Sequence, residues 1–308
     1  MKLKALIKPL ISLAMLFMVL RFVHFETLIQ TLLGIPVYVI LLVVVGYAAG
    51  QVLNSYKWWI IARAGKIDVP YTTALKSYFI GTFANSFGLG TVGGDLTRAL
   101  LLAAGRPVKT AAVASVVADR TFGLAVLACI GTAAAVYFGV PNVDQSWSDV
   151  LVVIGLSILL GWFYGPRILL KLVPHGNPLR TKAEAIAAVF PKERKTILYL
   201  TFLSASLHLL QIALHWVMGL AFGLDLPWPA ILVAVPFVNM MASLPISWNG
   251  LGVREASYLF FLTPLPLTKE EAVVFGTIWL LAVTISSAIG GLIAVWTGKF
   301  KFVFRRPQ

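Results

Sequence analysis

Continuous blocks of apolar residues restrict the fold of this sequence more than any other feature. They lack the 3.6- or 2-residue period of helices and strands that bury one face in a soluble core. Each block is long enough to cross a bilayer, which takes about 20 apolar helical residues. Only 12% of the residues are charged, about half the share in soluble domains. The predicted spans are 5–23, 37–56, 110–138, 148–164, 196–222 and 270–297. We therefore predict an all-α polytopic membrane protein with a single integral membrane domain over residues 1–308, whose first span is an uncleaved helix.

Two further apolar segments, 70–109 and 228–265, are interrupted near their middle by Gly and Pro. The first contains FGLGTVGGD from Phe87, and the second contains LPISWNGLG from Leu244. One continuous helix could not run through either motif. Irregular backbone at membrane depth needs surrounding protein or a water-filled cavity. We predict that each segment is a re-entrant hairpin of two half-length helices with an unwound centre.

Basic residues are concentrated in a few places, and this predicts the orientation in the membrane. The net charge of +13 comes mainly from the N-terminus, the stretch around 57–76, the 165–195 loop and the tail after 298. If both interrupted segments return to the face they entered, the positive-inside rule places these clusters and both termini in the cytoplasm. The charge then reflects topology and attraction to anionic inner-leaflet lipids, and we expect no nucleic-acid binding. The 165–195 loop is expected to be a solvated cytoplasmic connector with a short surface helix at 181–189.

The two interrupted segments would enter the membrane from opposite faces, which indicates an inverted repeat. Phe83-Ala-Asn85 precedes the first glycine motif, and Phe237-Val-Asn239 precedes the second. Interrupted hydrophobic segments at corresponding positions of two halves point to a binding site near the bilayer midplane. We predict such a repeat and such a site.

Six charged residues lie in otherwise apolar segments and are the first candidates for a binding site. A charge at the bilayer centre costs at least about 2.5–3.5 kcal/mol, so such residues face the protein interior, form pairs and commonly mark a substrate or ion path. Asp95 and Arg98, three residues apart, share one helical face. Internal ion pairs that only lock the helix bundle are the alternative. The six residues are Asp95, Arg98, Asp119, Arg120, Arg254 and Glu255.

Glycine motifs precede charged residues in both interrupted segments. Gly93-Gly94 is predicted to open one helix, and Gly250-Leu-Gly252 to open another. The free N–H groups and positive dipole end of a helix N-terminus attract anions, and glycine lets a phosphate approach the backbone. With the three arginines, these helix ends would suit a lipid phosphate, while nearby asparagines would either cap the turns or line a headgroup path. The residues added to the predicted binding set are Asn85, Gly93, Gly94, Asn249, Gly250 and Gly252.

Other signals identify neither a cofactor nor a catalytic group. Gly88-x-Gly90-x-x-Gly93 matches the dinucleotide fingerprint, but that fingerprint requires a preceding strand. His208 and His215 have no carboxylate or cysteine at ligand spacing, so we predict no metal site. No nucleophile–base pair is visible, and we assign no catalytic residue. Tryptophans near span ends are typical of interfacial belts, and here they are Trp58, Trp59, Trp147, Trp228, Trp279 and Trp296.

Three stretches taken together carry a family resemblance. They are NSFGLGTVGGDLTR from Asn85, SVVADRTFG from Ser115 and PISWNGLGVRE from Pro245. Their motifs and spacing resemble the lysylphosphatidylglycerol synthase transmembrane-region family, a flippase-like membrane family. The resemblance implies a helix bundle with two re-entrant elements that moves a phospholipid or lipid-linked headgroup between leaflets of a bacterial or archaeal cytoplasmic membrane. The sequence is similar to the stand-alone form of this family, which has no aminoacyl transferase domain, so lysyl transfer is not expected. It also implies functional roles for the six charged residues.

The sequence leaves three functions open. In the favoured one, a lipid translocator, arginines hold the phosphate, acidic residues orient them or meet a cationic headgroup, and the glycine turns move. The second is a membrane enzyme of lipid-linked sugar transfer with Asp95 or Asp119 as base. The third is an accessory subunit of a lipid-modifying enzyme that docks through the 165–195 loop. Membrane lipids are the expected partners and no cofactor is expected, while the cargo, the energy source and homo-oligomer formation are left open.

Overall fold

The computed structural model describes residues 10, 13–21, 23–139, 144–174, 176–224, 226–244, 247, 249–263, 265 and 267–300. Within these ranges every regular element is helical. The helices are α1 Leu13–Leu20, α2 Phe25–Leu33, α3 Val37–Ala64, α4 Tyr71–Ala84, α5 Gly90–Leu102, α6 Lys109–Phe138, α7 Gln145–Leu172, α8 Pro178–Val189, α9 Arg194–Ala221, α10 Trp228–Ser243, α11 Val253–Leu262 and α12 Lys269–Trp296.

Long apolar helices confirm the predicted class, an all-α multi-pass membrane protein. Among the described residues, five helices are long and apolar enough to cross a membrane: α3, α6, α9, α12 and the Ser146–Gly165 part of α7. Helices α1 and α2 meet at 95° and add a sixth if they form one span. Of the predicted first span, residues 5–9, 11, 12 and 22 lie outside the described residues.

Two compact units divide the chain. Unit 1 consists of residues 1–48, 130–153 and 208–286, and unit 2 consists of the remainder, 49–129, 154–207 and 287–308. The boundaries fall inside the five long helices, so each unit contains one part of each of them. Unit 1 contains α10 and α11, whereas unit 2 contains α4, α5 and α8. A single integral membrane domain over the whole chain stays a prediction.

The first interrupted segment forms a helical hairpin within unit 2. Helices α4 and α5 run antiparallel, because Gly81 of α4 faces Arg98 of α5 and Asn85, one turn further along α4, faces Gly94. The sequence predicted an unwound centre for this hairpin. The structure instead has a π-helical turn there, Asn85–Leu89. Gly90 follows with a φ of 65°, a conformation that costs glycine little. Helix α5 therefore begins at Gly90, and the Gly93-Gly94 pair lies inside its first turns rather than opening it.

The second interrupted segment forms a matching hairpin within unit 1. The rings of Phe237 and Phe261 lie 6.2 Å apart, and Ser257 Oγ lies 3.5 Å from Met241 Sδ. These pairs show that α10 and α11 also run antiparallel. As predicted, the second of them begins directly after Gly252. Motif residues 245, 246 and 248 lie outside the described residues. Insertion of both hairpins into a membrane and the inverted repeat stay predictions.

The 165–195 loop is more ordered within unit 2 than the expected solvated connector. Helix α7 continues to Leu172, and the expected surface helix begins three residues earlier, at Pro178. Asn177 caps this helix by accepting a hydrogen bond from the Leu179 N–H at 2.9 Å, as N-cap asparagines do. Val189 at its end is buried in a cluster with Ile61, Ala118 and Leu200. Burial of this apolar end explains why the segment packs onto the unit.

Candidate functional site

Helices α3, α5 and α6 bring five charged side chains together inside unit 2. We call these residues the charge cluster; they are Lys57, Asp95, Arg98, Asp119 and Arg120. Three are cationic and two are acidic, so the cluster carries one excess positive charge. Four of the five were predicted from the sequence as intramembrane charges, and the structure shows them in one connected network.

Asp95 links α5 to α6 through two arginines. Its Oδ1 accepts hydrogen bonds from Arg98 Nε at 3.1 Å and from Arg120 Nη2 at 3.0 Å. Its Oδ2 accepts one from Arg120 Nε at 2.9 Å. The contact with Arg120 is therefore bidentate, the geometry in which a guanidinium binds a carboxylate most strongly. The Arg120 side chain is nevertheless 47% exposed, whereas Asp95 is 18% exposed.

Asp119 forms the buried end of the charge cluster. Its Oδ2 accepts a hydrogen bond from Arg98 Nη1 at 3.0 Å. Lys57 Nζ lies 3.1 Å from Oδ1, and the two groups form an ion pair. Both side chains are almost completely buried. Since a buried charge is costly unless paired, each of these groups depends on the other.

Arg98 is enclosed on all the sides that the structure shows. Its guanidinium carbon lies 4.8 Å from the ring centres of both Trp58 and Tyr78, within cation–π range. Two of its nitrogens are bonded to Asp95 and Asp119, and its side chain is only 3% exposed. Because it is enclosed in this way, Arg98 is placed to hold Asp95 and Asp119 in position, and it is poorly placed to contact a ligand.

Sequence reasoning missed Lys57 and Trp58. Lys57 was assigned to a basic cytoplasmic stretch and Trp58 to an interfacial belt, but both are buried. Trp58 donates a hydrogen bond to Ser115 Oγ at 3.1 Å, one helical turn before Asp119, and this contact sets α3 against α6. One signal in the sequence could have shown that these residues belong to the helix. No helix breaker lies between residue 56, the predicted end of the second span, and Gly65, which follows the last residue of the helix. Among the other tryptophans, Trp279 is also buried.

Three exposed tryptophans fit the interfacial-belt prediction better. They are Trp147, Trp228 and Trp296. Exposure of a large aromatic ring near the end of an apolar helix is what an interfacial belt requires.

Asn85, Gly93 and Gly94 pack at the turn of the unit 2 hairpin. Asn85 Oδ1 touches Gly94 so closely that a β-carbon there would overlap it. This oxygen has no hydrogen-bond partner in the described part of the chain. The carbonyl of Gly93 accepts a bond from Thr97 Oγ1 at 2.9 Å. Glycine at 94 is thus required by close packing, and Asn85 faces the first turns of α5 instead of capping them.

The predicted residues of unit 1 surround the start of α11. Asn249, Gly250 and Gly252 have positive φ values of 52°, 79° and 81°, a backbone region that favours glycine. The Gly252 N–H donates to Glu255 Oε2 at 2.7 Å, which caps the helix with a buried carboxylate. Arg254 is 7% exposed, and its Nε and Nη1 have no hydrogen-bond partner among the residues described.

His215 is held by contacts on both ring nitrogens. Its Nδ1 lies 2.6 Å from the carbonyl oxygen of Gln211, which can only accept, so Nδ1 carries the proton. Its Nε2 then accepts from the hydroxyl of Tyr258, and the ring packs against Trp279 with centroids 3.9 Å apart. This geometry fits a structural histidine. Among the described residues no group of three or more His, Cys, Asp and Glu has metal-binding geometry.

The long apolar helices define a multi-pass membrane protein, and three helices of its unit 2 carry the charge cluster. The chain belongs to a family that is described as the lysylphosphatidylglycerol synthase TM region, and the match covers residues 5–291. This confirms the family resemblance of the sequence motifs. No curated protein matches the chain, and no solved structure does so either.

Proposed function

We propose that this protein translocates a phospholipid or lipid-linked headgroup between the leaflets of a bacterial or archaeal cytoplasmic membrane, with both termini in the cytoplasm. Membership of the family supports a role in lipid modification or translocation. The observation that carries the proposal is the half-exposed side chain of Arg120 far along a spanning helix.

The depth of Arg120 follows from its position in α6. This helix begins at Lys109, and eleven residues at 1.5 Å each place Arg120 about 16 Å further along. The hydrocarbon core is about 30 Å thick. If Lys109 marks the cytoplasmic interface, as the positive-inside rule predicts, Arg120 lies near the midplane. A half-exposed arginine cannot face acyl chains there without a large penalty. We therefore infer that its exposed side borders a polar path.

The charge cluster gives each residue a separate role in this path. Arg120 meets the phosphate, because it is the exposed cation of the cluster. Asp95 orients Arg120, and Arg98 holds Asp95 in place. Lys57 and Asp119 supply the buried anchor behind them. One excess positive charge remains to attract a phosphate, and Asp95 sits where a cationic headgroup would meet it.

The two alternative functions have less support. A base in sugar transfer must take up a proton, but the carboxylates of Asp95 and Asp119 are each paired with two cations that compete with a proton. An accessory subunit that docks through the 165–195 loop would present the apolar end of α8, yet Val189 is buried within unit 2. Internal ion pairing alone would account for Arg98 but not for an exposed Arg120.

Leaflet exchange in liposomes tests the proposal. The purified protein is reconstituted into vesicles with fluorescent phosphatidylglycerol or phosphatidylcholine, and an impermeant quencher reports how fast inner-leaflet lipid reaches the outside. We expect exchange well above that of protein-free vesicles for at least one headgroup. A folded, correctly inserted protein that accelerates exchange of no headgroup would contradict the proposal.

A further inference from the structure

The strongest feature outside the charge cluster is an arginine in unit 1 that is buried without a partner. Nε and Nη1 of Arg254 make no hydrogen bond to any residue the structure describes, although the residue is 7% exposed. Ser247, which is 3% exposed, likewise has a hydroxyl without a partner in the described ranges. Leaving a buried charged group unpaired is strongly unfavourable. Two such donors in one short turn therefore indicate that an acceptor binds there.

The side chains of this turn, more than its backbone, are open to an anion. Residues 249, 250 and 252 have positive φ, but the N–H groups of Gly252 and Arg254 already donate to Glu255 Oε2 and to the Gly250 carbonyl oxygen. The turn leads into the N-terminus of α11, a ten-residue helix, whose dipole favours negative charge. The guanidinium folds back over the turn, because a β-carbon on Gly250 would lie 3.3 Å from Arg254 Nη2. The unpaired side chain is thus aimed into the glycine turn.

The charge of Glu255 limits how much negative charge a ligand bound beside Arg254 can carry. Its buried carboxylate already accepts the Gly252 N–H, so the negative charge of Glu255 balances the positive charge of Arg254. A doubly charged phosphate would leave the site strongly negative. A singly charged phosphodiester leaves one net negative charge, which the helix dipole and the hydroxyl of Ser247 can offset.

We propose that Ser247 and the turn at residues 249–254 of unit 1 bind a singly charged phosphodiester through the Arg254 guanidinium and the Ser247 hydroxyl. The inference rests on the proposed function only in taking the phosphodiester to be that of a membrane lipid. It assigns the class of headgroup, and it makes this turn a binding site in its own right.

Equilibrium binding in detergent tests the site without any leaflet exchange. The full chain is purified in an uncharged detergent, and its tryptophan fluorescence is followed on heating with three probes. Phosphatidylglycerol is the lipid probe, dimethyl phosphate is a soluble phosphodiester, and diacylglycerol with the same acyl chains lacks the phosphate. The wild type is compared with Arg254→Gln, Ser247→Ala and, as a control, Arg106→Gln, which alters an exposed arginine of the α5–α6 connection.

We expect phosphatidylglycerol to raise the unfolding temperature of the wild type and of Arg106→Gln, and diacylglycerol to have no such effect. Arg254→Gln should weaken phosphatidylglycerol binding by about 10- to 100-fold, the effect of losing hydrogen bonds to a charged group, and Ser247→Ala should weaken it less. Without ligand, Arg254→Gln should unfold at nearly the same temperature as the wild type, because two of the guanidinium nitrogens that it removes have no hydrogen-bond partner in the described residues, and ending their costly burial offsets the loss of the charge that balances Glu255. A purely structural arginine would instead give a destabilised variant.

Several outcomes separate the possibilities. Phosphatidylglycerol binding that Arg254→Gln leaves unchanged would overturn the site, as would a strongly destabilised ligand-free Arg254→Gln. Protection by dimethyl phosphate but not by the lipid would support a phosphodiester site and overturn its lipid source. Arg254-dependent lipid binding by a protein that exchanges no lipid in vesicles would support the site and contradict translocation.

Discussion

Arg120 donates two hydrogen bonds to the carboxylate of Asp95, from Nε at 2.9 Å and from Nη2 at 3.0 Å, while nearly half of its side chain stays exposed. This pair differs from the rest of the charge cluster, where Lys57, Arg98 and Asp119 are all buried. The arginine is therefore held in one orientation without being enclosed. A binding group needs both properties, since a fixed geometry reduces the entropy lost when a ligand binds.

The buried end of the cluster should determine stability. Asp119→Asn leaves Lys57 and Arg98 as buried cations with reduced compensation, and we expect the free energy of unfolding to fall by about 3–5 kcal/mol. Denaturant unfolding of the detergent-solubilised protein measures this. The matched control is Glu184→Gln, because Glu184 pairs with Arg180 at an exposed site, where such pairs contribute about 1 kcal/mol or less. Equal small losses in both variants would show that the Asp119 ion pairs contribute little.

Close packing at the unit 2 hairpin should make Gly94 irreplaceable. A β-carbon at this position would overlap Asn85 Oδ1 and the carbonyl oxygen of Gly81, and the backbone oxygen cannot move aside. Gly94→Ala should therefore destabilise the protein by about 1–3 kcal/mol or more. Gly161→Ala is the control, because the space around Gly161 in α7 is open and alanine is the better helix former. Thermal unfolding that is the same for both variants would rule out the close approach.

The hydroxyl of Tyr258 should stabilise unit 1 through His215. Tyr258→Phe removes the hydroxyl that donates to His215 Nε2 and leaves this buried nitrogen without a donor among the described residues. We expect the free energy of unfolding to fall by about 1–3 kcal/mol. Tyr137→Phe, at an exposed position near the end of α6, should change the free energy of unfolding by about 0.5 kcal/mol at most. Unfolding monitored by tryptophan fluorescence compares the two. A Tyr258→Phe protein as stable as its control would mean that His215 finds another partner.

Local signals in the sequence predicted the features that depend on neighbouring residues. The spanning helices follow from unbroken apolar blocks, because a helix in lipid satisfies its own backbone groups. The Asp95–Arg98 contact follows from i,i+3 spacing, and the start of α11 follows from the glycines that precede it. The predicted start of α5 was wrong because several glycines in this stretch could each begin a helix. The positive φ of Gly90, which the sequence does not show, places the start at that residue.

Features that depend on packing between distant segments could not be predicted. Lys57 was assigned to a cytoplasmic cluster, since nothing near it in the sequence indicates that Asp119 will face it. The sequence predicted that Trp58 is an interfacial tryptophan. In the structure the hairpin brings Arg98 against its ring, a contact that no local pattern indicates. The difference between an enclosed Arg98 and an exposed Arg120 likewise arises only from tertiary structure.

The most direct test of the central claim is leaflet exchange of fluorescent phosphatidylglycerol by Arg120→Gln compared with Arg106→Gln. Both changes remove one positive charge from an exposed arginine, but only Arg120 belongs to the charge cluster. We predict that Arg106→Gln exchanges lipid at the wild-type rate and that Arg120→Gln, folded and inserted to the same extent, falls to the rate of protein-free vesicles. Wild-type exchange by Arg120→Gln would contradict the claim that this arginine lies on the headgroup path.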